Sequence, residues 1–478
     1  MTGLDPQTRR WLEFEQTVNE RLYPEVDNAP NDLSGRTVNP RWRPERRNEW
    51  PQQVVWLPSS LTRTYGDVEG NLQAAFSCRS PPGKSALLIH PQPPAAHRRL
   101  AEEYGATTLS KVLSTPTASY RSLLTVHPDH PPVILKLSVG AVVGGLRRGV
   151  KEKPLASGVV ISSILDTIPD RIRRQFNVDW FSEPCGLVDV ESRKGWLLRT
   201  FPRLTPQRRR STLVPMFSLI SKHPERRVPL LAEMILNSHQ RPEAFILEKL
   251  LQPYVSALAY LLFVQGIAIE GHPQNVLFEV DDSQSLTGRV VIRDLSDASV
   301  NIALRVARNK PLPVFPSGFL PRTSPFSLAT AAADHQCSPL QPAVLRARDV
   351  VECFGLKTFV WCLTTSMARF FPRFNSRKID RAYLGLWQEA AVEHFNLRPP
   401  LREPGGISTD GTMTHLFRII DWKSLGATNN ANLPDKVESL RLKSNLRRRS
   451  GRVYQRLECA WGDLYLDENL PAFFRPAF

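Results

Sequence analysis

The stretch TASYRSLLTVHPDHPPVILKLSV (117–139) decides how the chain is read. Two apolar runs, SLLTV (122–126) and VILKLSV (133–139), flank HPDHPP, whose prolines and aspartate favour turns. The pattern predicts two buried antiparallel strands joined by a short connection. Lys136 stands on the second strand. Ser119 and Arg121 lead into the first strand, and in extended chain both point to one face. A register that pairs Val126 with Val133 sets Leu123 opposite Lys136 and gathers the three polar side chains on one face. A slip of one residue would separate them.

Working outward, ALLIH (86–90) reads as another buried strand. Residues 1–83 are rich in Pro, Asn and Arg; a helix is predicted up to about Leu22 and loop-heavy chain after it. Residues 243–265 carry the clearest helix, with Leu247, Leu250, Leu251, Tyr254, Val255, Leu258, Leu261 and Leu262 at helical spacing and Gly266 placed to stop it. Pro253 inside that run predicts a kink or a break. VLFEV (276–280) and RVVIR (289–293) flank DDSQSLTG as a β-hairpin. Glu270-Gly-His272-Pro-Gln274-Asn275 enters this hairpin and Arg293-Asp294 closes it, so antiparallel pairing brings Asn275 beside Asp294. The Pro- and Ser-rich stretch from Arg308 to about Ala343 reads as a loop or linker. Residues 347–395 read as helical with one apolar face, and the tail as helix mixed with basic runs.

A chain of 478 residues suggests about three folding units, and 41% hydrophobic with 23% charged residues is a globular composition. The formal charge of +16 raises nucleic acid, a membrane surface or a polyanionic small molecule as partner, and charge alone does not choose. The longest apolar stretch, around Tyr260–Ile269, is broken by Gln265 and falls short of the roughly 20 residues of a membrane span. The N-terminus lacks the apolar core of a signal peptide, so a soluble, cytoplasmic protein with no membrane partner is expected. Six scattered cysteines without a CxxC predict reduced thiols and no zinc site.

Chemically, Arg, Lys, Ser and His donors suit phosphate oxygens, and Arg can bind them in a bidentate manner. An Asp, Glu and Asn group suits Mg²⁺, which takes one or two carboxylates with phosphate oxygens and water. Together they describe a metal–nucleotide site. No P-loop or GxGxxG is present, so side chains on strands must hold the nucleotide. Taken singly the pieces are unspecific: a Ser-x-Arg at a strand start is commonly solvated surface, and a His after a helix is commonly structural.

In order and spacing, the pieces resemble the IucA/IucC family, the siderophore synthetases that work independently of nonribosomal peptide synthetases. The residues that carry the resemblance are His90-Pro91, Ser119-Tyr120-Arg121, Lys136-Leu137 with Arg148 twelve residues on, Glu270-Gly-His272-Pro-Gln274-Asn275 and Arg293-Asp294. They span roughly residues 84–300.

The resemblance implies an α+β, cupped-hand siderophore-synthetase-like fold. Its parts would be a reduced thumb-like region (1–83), β-rich ATP-binding fingers (84–306), a Pro-rich linker (307–345) and a mostly helical palm (346–478). It implies an enzyme that uses ATP and Mg²⁺ to adenylate a citrate-like polycarboxylate or keto acid and condense it with an amine or alcohol. Ser119, Arg121, Lys136, Gln274 and Asn275 would hold the nucleotide, Glu270 and Asp294 the Mg²⁺, and His272, Arg148 and Lys136 would serve catalysis. No nucleic-acid partner is implied, and the family often forms homodimers.

The chain departs from the family at three points. Gly144 stands where the family has a Thr used on a citrate-like carboxylate, Gln92 replaces a Trp, and the segment before His90 is short. Asp421-Trp-Lys423-Ser-Leu followed by Leu440-Arg-Leu is loosely similar to the family's closing motif, and an ordinary helix-to-loop junction explains it equally well. Three rival readings are a kinase-like phosphotransferase, a nucleic-acid binder built on Arg208–Arg210 and Arg447–Arg449, and a family member that has lost catalysis. The first lacks an Asp shortly before Asn275 to orient an acceptor hydroxyl.

Overall fold

The fold is that of a computed structural model, which describes residues 4–18, 31–32, 40–143, 146–202, 211–225, 227–300, 305, 310–311, 349–395, 446–449, 452–459 and 462–467. The chain divides into two units. The first comprises Met1–Pro169, Val178–His239 and Pro273–Ser296, and the second Asp170–Asn177, Gln240–His272 and Asp297–Phe478.

The first unit opens with helix α1 (Pro6–Thr17), started by an Asp5 carboxylate that accepts from the Gln7 and Thr8 amides. Its strands are β1 (Trp50–Pro58), β2 (Thr62–Gly66), β3 (Lys84–Ile89), β4 (Ala106–Pro116), β5 (Ser122–Val126) and β6 (Val133–Leu137). After helix α2 (Glu152–Leu165) come β7 (Val178–Trp180), β8 (Ser182–Asp189), β9 (Gly195–Thr200), β10 (Thr212–Pro215), β11 (Val276–Val280) and β12 (Leu286–Ile292). Eight of them form a sheet in the order β2-β8-β9-β6-β5-β4-β1-β3, and four form a second in the order β7-β12-β11-β10. The larger sheet is antiparallel throughout.

The boundary expected near residue 84 is not a boundary of these units, and residues 50–76 are not loop-heavy. Strand β1 pairs with both β3 and β4, and residues Val68–Phe76 form a helix. Gln52 disguised the strand. It is a polar residue at an inward position, fully buried, donating to the Ile89 carbonyl at 3.0 Å and accepting from Ser114 at 2.8 Å.

The β5–β6 register differs by one residue from the expected one. Thr125 pairs with Val133, and Ser122, not Leu123, stands opposite Lys136. The connection explains the slip. His127–His130 closes a turn on its own hydrogen bond, and Pro131 and Pro132 have no amide to carry pairing back to Val126. The slip decides which side chains face which core. Leu123 and Leu135 join an apolar cluster with Leu87, Leu187 and Trp196 on one face of the sheet. Leu124 and Ile134 join Trp11, Leu213, Leu277 and Val291 on the other, the face that meets α1 and the four-stranded sheet. Ser122 and Lys136 alternate with the same parity as Leu124 and Ile134, so they point toward the four-stranded sheet.

His90 ends β3 as a structural residue. Its Nε2 donates to the Tyr120 carbonyl at 2.9 Å and its Nδ1 accepts from the Gln92 amide at 2.9 Å, which requires the neutral ring. Burial lowers its pKa to about 4. Because the unfolded chain binds this proton more tightly, His90 contributes fully to stability above about pH 6.5, and the contribution is lost as pH falls toward 4. A denaturant midpoint that declines across this window is expected, on the order of 3 kcal/mol in total. A His90→Gln variant should flatten the decline, and an equally steep one in the variant would assign it to other groups.

The second unit is built on a continuous helical run, Pro242–Val264, long and apolar enough to cross a membrane but largely buried, as a core helix is. Pro253 does not break it. A π-helical turn, Leu247–Leu251, precedes the proline and takes up the missing hydrogen bond, and a second π turn, Tyr260–Val264, ends the run. Gly266 then adopts φ +63°, as its expected stopping role requires. Helical segments Asp349–Val360, Trp361–Ala368 and Ser376–Phe395 follow, in line with the helical reading of 347–395.

The described parts of the tail are not helical. Leu446–Arg449, Arg452–Cys459 and Gly462–Asp467 form an antiparallel three-stranded sheet. Most of the Pro-rich linker, Arg208–Arg210, Gly144, and the motif at Asp421–Leu425 and Leu440–Leu442 lie outside the described residues. Cys78, Cys185 and Cys362 are free thiols.

Candidate anion-binding site

Four adjacent strands set a polar row across one face of the large sheet. Ser122 on β5 faces Lys136 on β6; on β9, Arg199 faces Ile134, one pleat from Lys136; Glu183 on β8 lies at a register shift between Ser182 and Cys185. Lys136 and Arg199 are each 4% exposed at the side chain and Glu183 is fully buried, so none can rely on water. Arg199 Nε donates to Glu183 Oε1 at 2.6 Å. Helix α2 presses close here: a Cβ on Gly158 would come within 2.2 Å of Glu183 Oε2, so only glycine leaves room for the carboxylate.

Asp294 completes the network from the end of β12. Its Oδ1 accepts from Lys136 Nζ at 2.6 Å and lies 2.8 Å from Arg199 Nη2, while Lys136 also donates to Ser296 Oγ at 3.3 Å. The Asp294 backbone has φ +68°, a left-handed conformation that Asp tolerates, and the chain turns there into Leu295–Asp297. Asn275 stands across from Arg293, whose amide donates to the Asn275 carbonyl at 2.9 Å, so Asn275 and Asp294 share one end of the hairpin as expected. Arg293 itself faces away from the row: it bonds the Gln274 carbonyl at 2.7 Å and Glu15 of α1.

The register slip did not detach Arg121. Ser119–Ser122 forms a turn closed by the Ser122 amide on the Ser119 carbonyl, so strand alternation does not set the direction of Arg121. Its Nη1 donates to the Gly149 carbonyl at 3.4 Å, and its charge acts on Lys136, Arg148 and Asp294. Arg148 is fixed by a backbone ladder: its amide donates to Ala141 and its carbonyl accepts from Val139.

The electrostatics follow. Burial first, then Arg121 and Arg199, lower the Lys136 pKa against the opposing pull of Asp294. Burial alone would raise Asp294, but Arg199, Lys136 and Arg121 hold it well below the usual carboxylate range. Burial, with Arg121, also lowers Arg148, and burial raises Glu183 against Arg199. Arg121, Lys136, Arg148 and Arg199 thus gather around Asp294 and Glu183, a set of donors whose chemistry suits an incoming anion.

Of the residues expected at the site, Arg121, Lys136, Arg148 and Asp294 come together here. Ser119 is half-buried two residues before Arg121, Gln274 is exposed and Asn275 buried. Glu270 and His272 belong to the second unit, where both are half-buried, with the His272 ring 6.3 Å from that of Phe354. Arg199 and Glu183 were missed; their one sequence signal is a charge closing the apolar run WLLRT (196–200).

A resident metal centre does not fit this donor set. Both cations converge on Asp294 Oδ1, and among the described residues no three His, Cys, Asp or Glu side chains could hold a metal ion. Mg²⁺ fits here only as a companion of an incoming phosphate group.

An α+β chain whose antiparallel sheet bears a buried cluster of cations and carboxylates is the class of protein that this geometry defines. Residues 39–221 match the IucA / IucC family. Similar solved structures include aerobactin synthetase IucC from a hypervirulent pathotype of Klebsiella pneumoniae, at 17% identity and TM-score 0.52, with 79% of this chain and 66% of that one covered. Petrobactin biosynthesis protein AsbB from Bacillus anthracis str. Sterne is similar at 16% identity and TM-score 0.56, with 74% and 62% covered. ATP-bound aerobactin synthetase IucA from the same Klebsiella pathotype is similar at 12% identity and TM-score 0.54, with 74% and 65% covered. The chain thus spans just under two thirds of each of these structures, and it shares their mixed α+β fold. No curated protein matches it.

Proposed function

We propose that the chain is an ATP-dependent ligase of siderophore-type biosynthesis, which adenylates a polycarboxylic or keto acid and passes the acyl group to an amine or hydroxyl. The observation that carries this reading is the convergence of Arg121, Lys136, Arg148 and Arg199 around Asp294 in a chain whose residues 39–221 match the IucA / IucC family. The ATP-bound state of one similar structure agrees with it.

In the proposed reaction a carboxylate oxygen attacks the α-phosphorus of ATP, the bond to the β-phosphate breaks, and pyrophosphate leaves. The amine or hydroxyl then attacks the acyl carbon, AMP departs with the bridging oxygen, and the nucleophile gives up its proton. Arg121, Lys136 and Ser119 would bind the phosphates, and Gln274 and Asn275 the nucleotide. Arg148 would face the reacting carboxylate, and His272 would serve catalysis. Preorganised cations stabilise the charge that develops on the phosphate oxygens without reorganisation cost.

Asp294 would repel those oxygens unless Mg²⁺ arrived with the nucleotide, and Asp294 would then help to hold the ion and offset the charge. An Asp294→Asn variant is therefore expected to need several-fold more Mg²⁺ for half-maximal turnover, and an unchanged Mg²⁺ titration would remove Asp294 from that role. Pyrophosphate release should be screened with citrate, 2-oxoglutarate and other carboxylates against diamines, amino acids and alcohols. AMP and pyrophosphate are the expected products, whereas ADP would mean phosphoryl transfer.

A further inference from the structure

Residues 269–275 carry Glu270 and His272 and lie outside any strand or helix, so scattered contacts must hold their backbone. Three of those contacts fall on carbonyls. Gly271 O accepts from the Tyr254 hydroxyl at 2.7 Å, Pro273 O from the Phe217 amide at 3.3 Å, and Gln274 O from Arg293 Nε at 2.7 Å. The contact that falls between Glu270 and His272 is the one made by Tyr254.

Three features make that contact stiff. Tyr254 is fully buried and its ring is stacked on Phe359, with centroids 4.0 Å apart and planes 13° from parallel. The loop is pressed onto the helix, because a Cβ on Gly271 would lie 2.6 Å from both Tyr254 Oη and Leu258 Cδ1. Burial also pushes the Tyr254 hydroxyl well above its ordinary pKa, so it stays a donor throughout the working range.

We propose that Tyr254 is a positioning residue: by holding the Gly271 carbonyl, its hydroxyl sets where the flanking Glu270 and His272 side chains start and therefore what they reach. The inference rests on the ligase reading of His272. A side chain swung from a misplaced backbone moves by more than the backbone does, and reacting groups displaced by about 1 Å lose up to about 100-fold in rate.

The test uses the full chain with Tyr254→Phe, read by product formation at saturating amine. A kcat lowered about tenfold or more is expected. The KM for ATP should stay within about twofold, because the cation cluster of the first unit is untouched.

Tyr383→Phe is the control. It too removes a buried hydroxyl, one that donates to the Val351 carbonyl at 3.0 Å, and it should leave kcat unchanged at a comparable loss of thermal stability. If Tyr254→Phe does not fold, Gly271→Ala, which forces the loop off Tyr254, should show the same loss confined to kcat. Equal kcat values for Tyr254→Phe and Tyr383→Phe would overturn the proposal, as would a loss shared between kcat and the KM for ATP. His272→Ala separates the two levels. Full turnover in it would overturn the reading of His272, whereas lost turnover there beside normal turnover in Tyr254→Phe would overturn only the role of Tyr254.

Discussion

Arg121→Ala is expected to lower carboxylate-dependent pyrophosphate release by about 100-fold or more, with a melting temperature close to the parent's. Arg121 is half-buried in a turn outside the strand ladder, so the pairing of β5 with β6 does not depend on its side chain. Its charge nevertheless reaches Lys136, Arg148 and Asp294, the groups that would surround the phosphates. Removing a cation from a desolvated site removes an interaction that bulk water cannot replace. Turnover within about threefold of the parent, with the protein folded, would move the phosphates elsewhere.

Arg199→Met should behave differently, destabilising the chain by about 3–5 kcal/mol. It strands the fully buried Glu183 and takes a cation from Asp294. That loss is a large share of the stability of a typical domain. The double variant Arg199→Met/Glu183→Leu removes both members of the pair and should recover most of the stability, since an apolar pair of similar volume needs no desolvated charges. Activity should not return with it, because Asp294 would still lack its second cation. Chemical denaturation together with pyrophosphate release distinguishes the outcomes; recovery of both would make Arg199 purely a core residue.

The two variants mark how far the chain could be read without its fold. Lys136 was legible because a lone cation in VILKLSV has no local reason to be there. The end of the β11–β12 hairpin was legible because antiparallel pairing over a short turn brings Asn275 near Asp294 automatically. Arg199 and Glu183 were not, since each is one charge in an apolar strand and their partnership depends on strands meeting side by side. The strand at Trp50–Pro58 was hidden because its inward Gln52 is satisfied by β3 and β4. The tail strands were hidden by basic runs that look like solvated helix.

By itself the sequence determined the elements whose hydrogen bonds and apolar periodicity are local: the central strands, the long helix and its glycine stop. Only the tertiary structure decided the register and the charge network. A slip of one residue in β5–β6 exchanges the faces of every side chain, and what set it was a turn whose prolines withhold their amides. The charge network likewise depends on a second sheet delivering Asp294 to Lys136 across 158 residues of chain. That placement is enforced by the burial of Leu124, Ile134, Leu277 and Val291 in one apolar cluster, which no local pattern encodes.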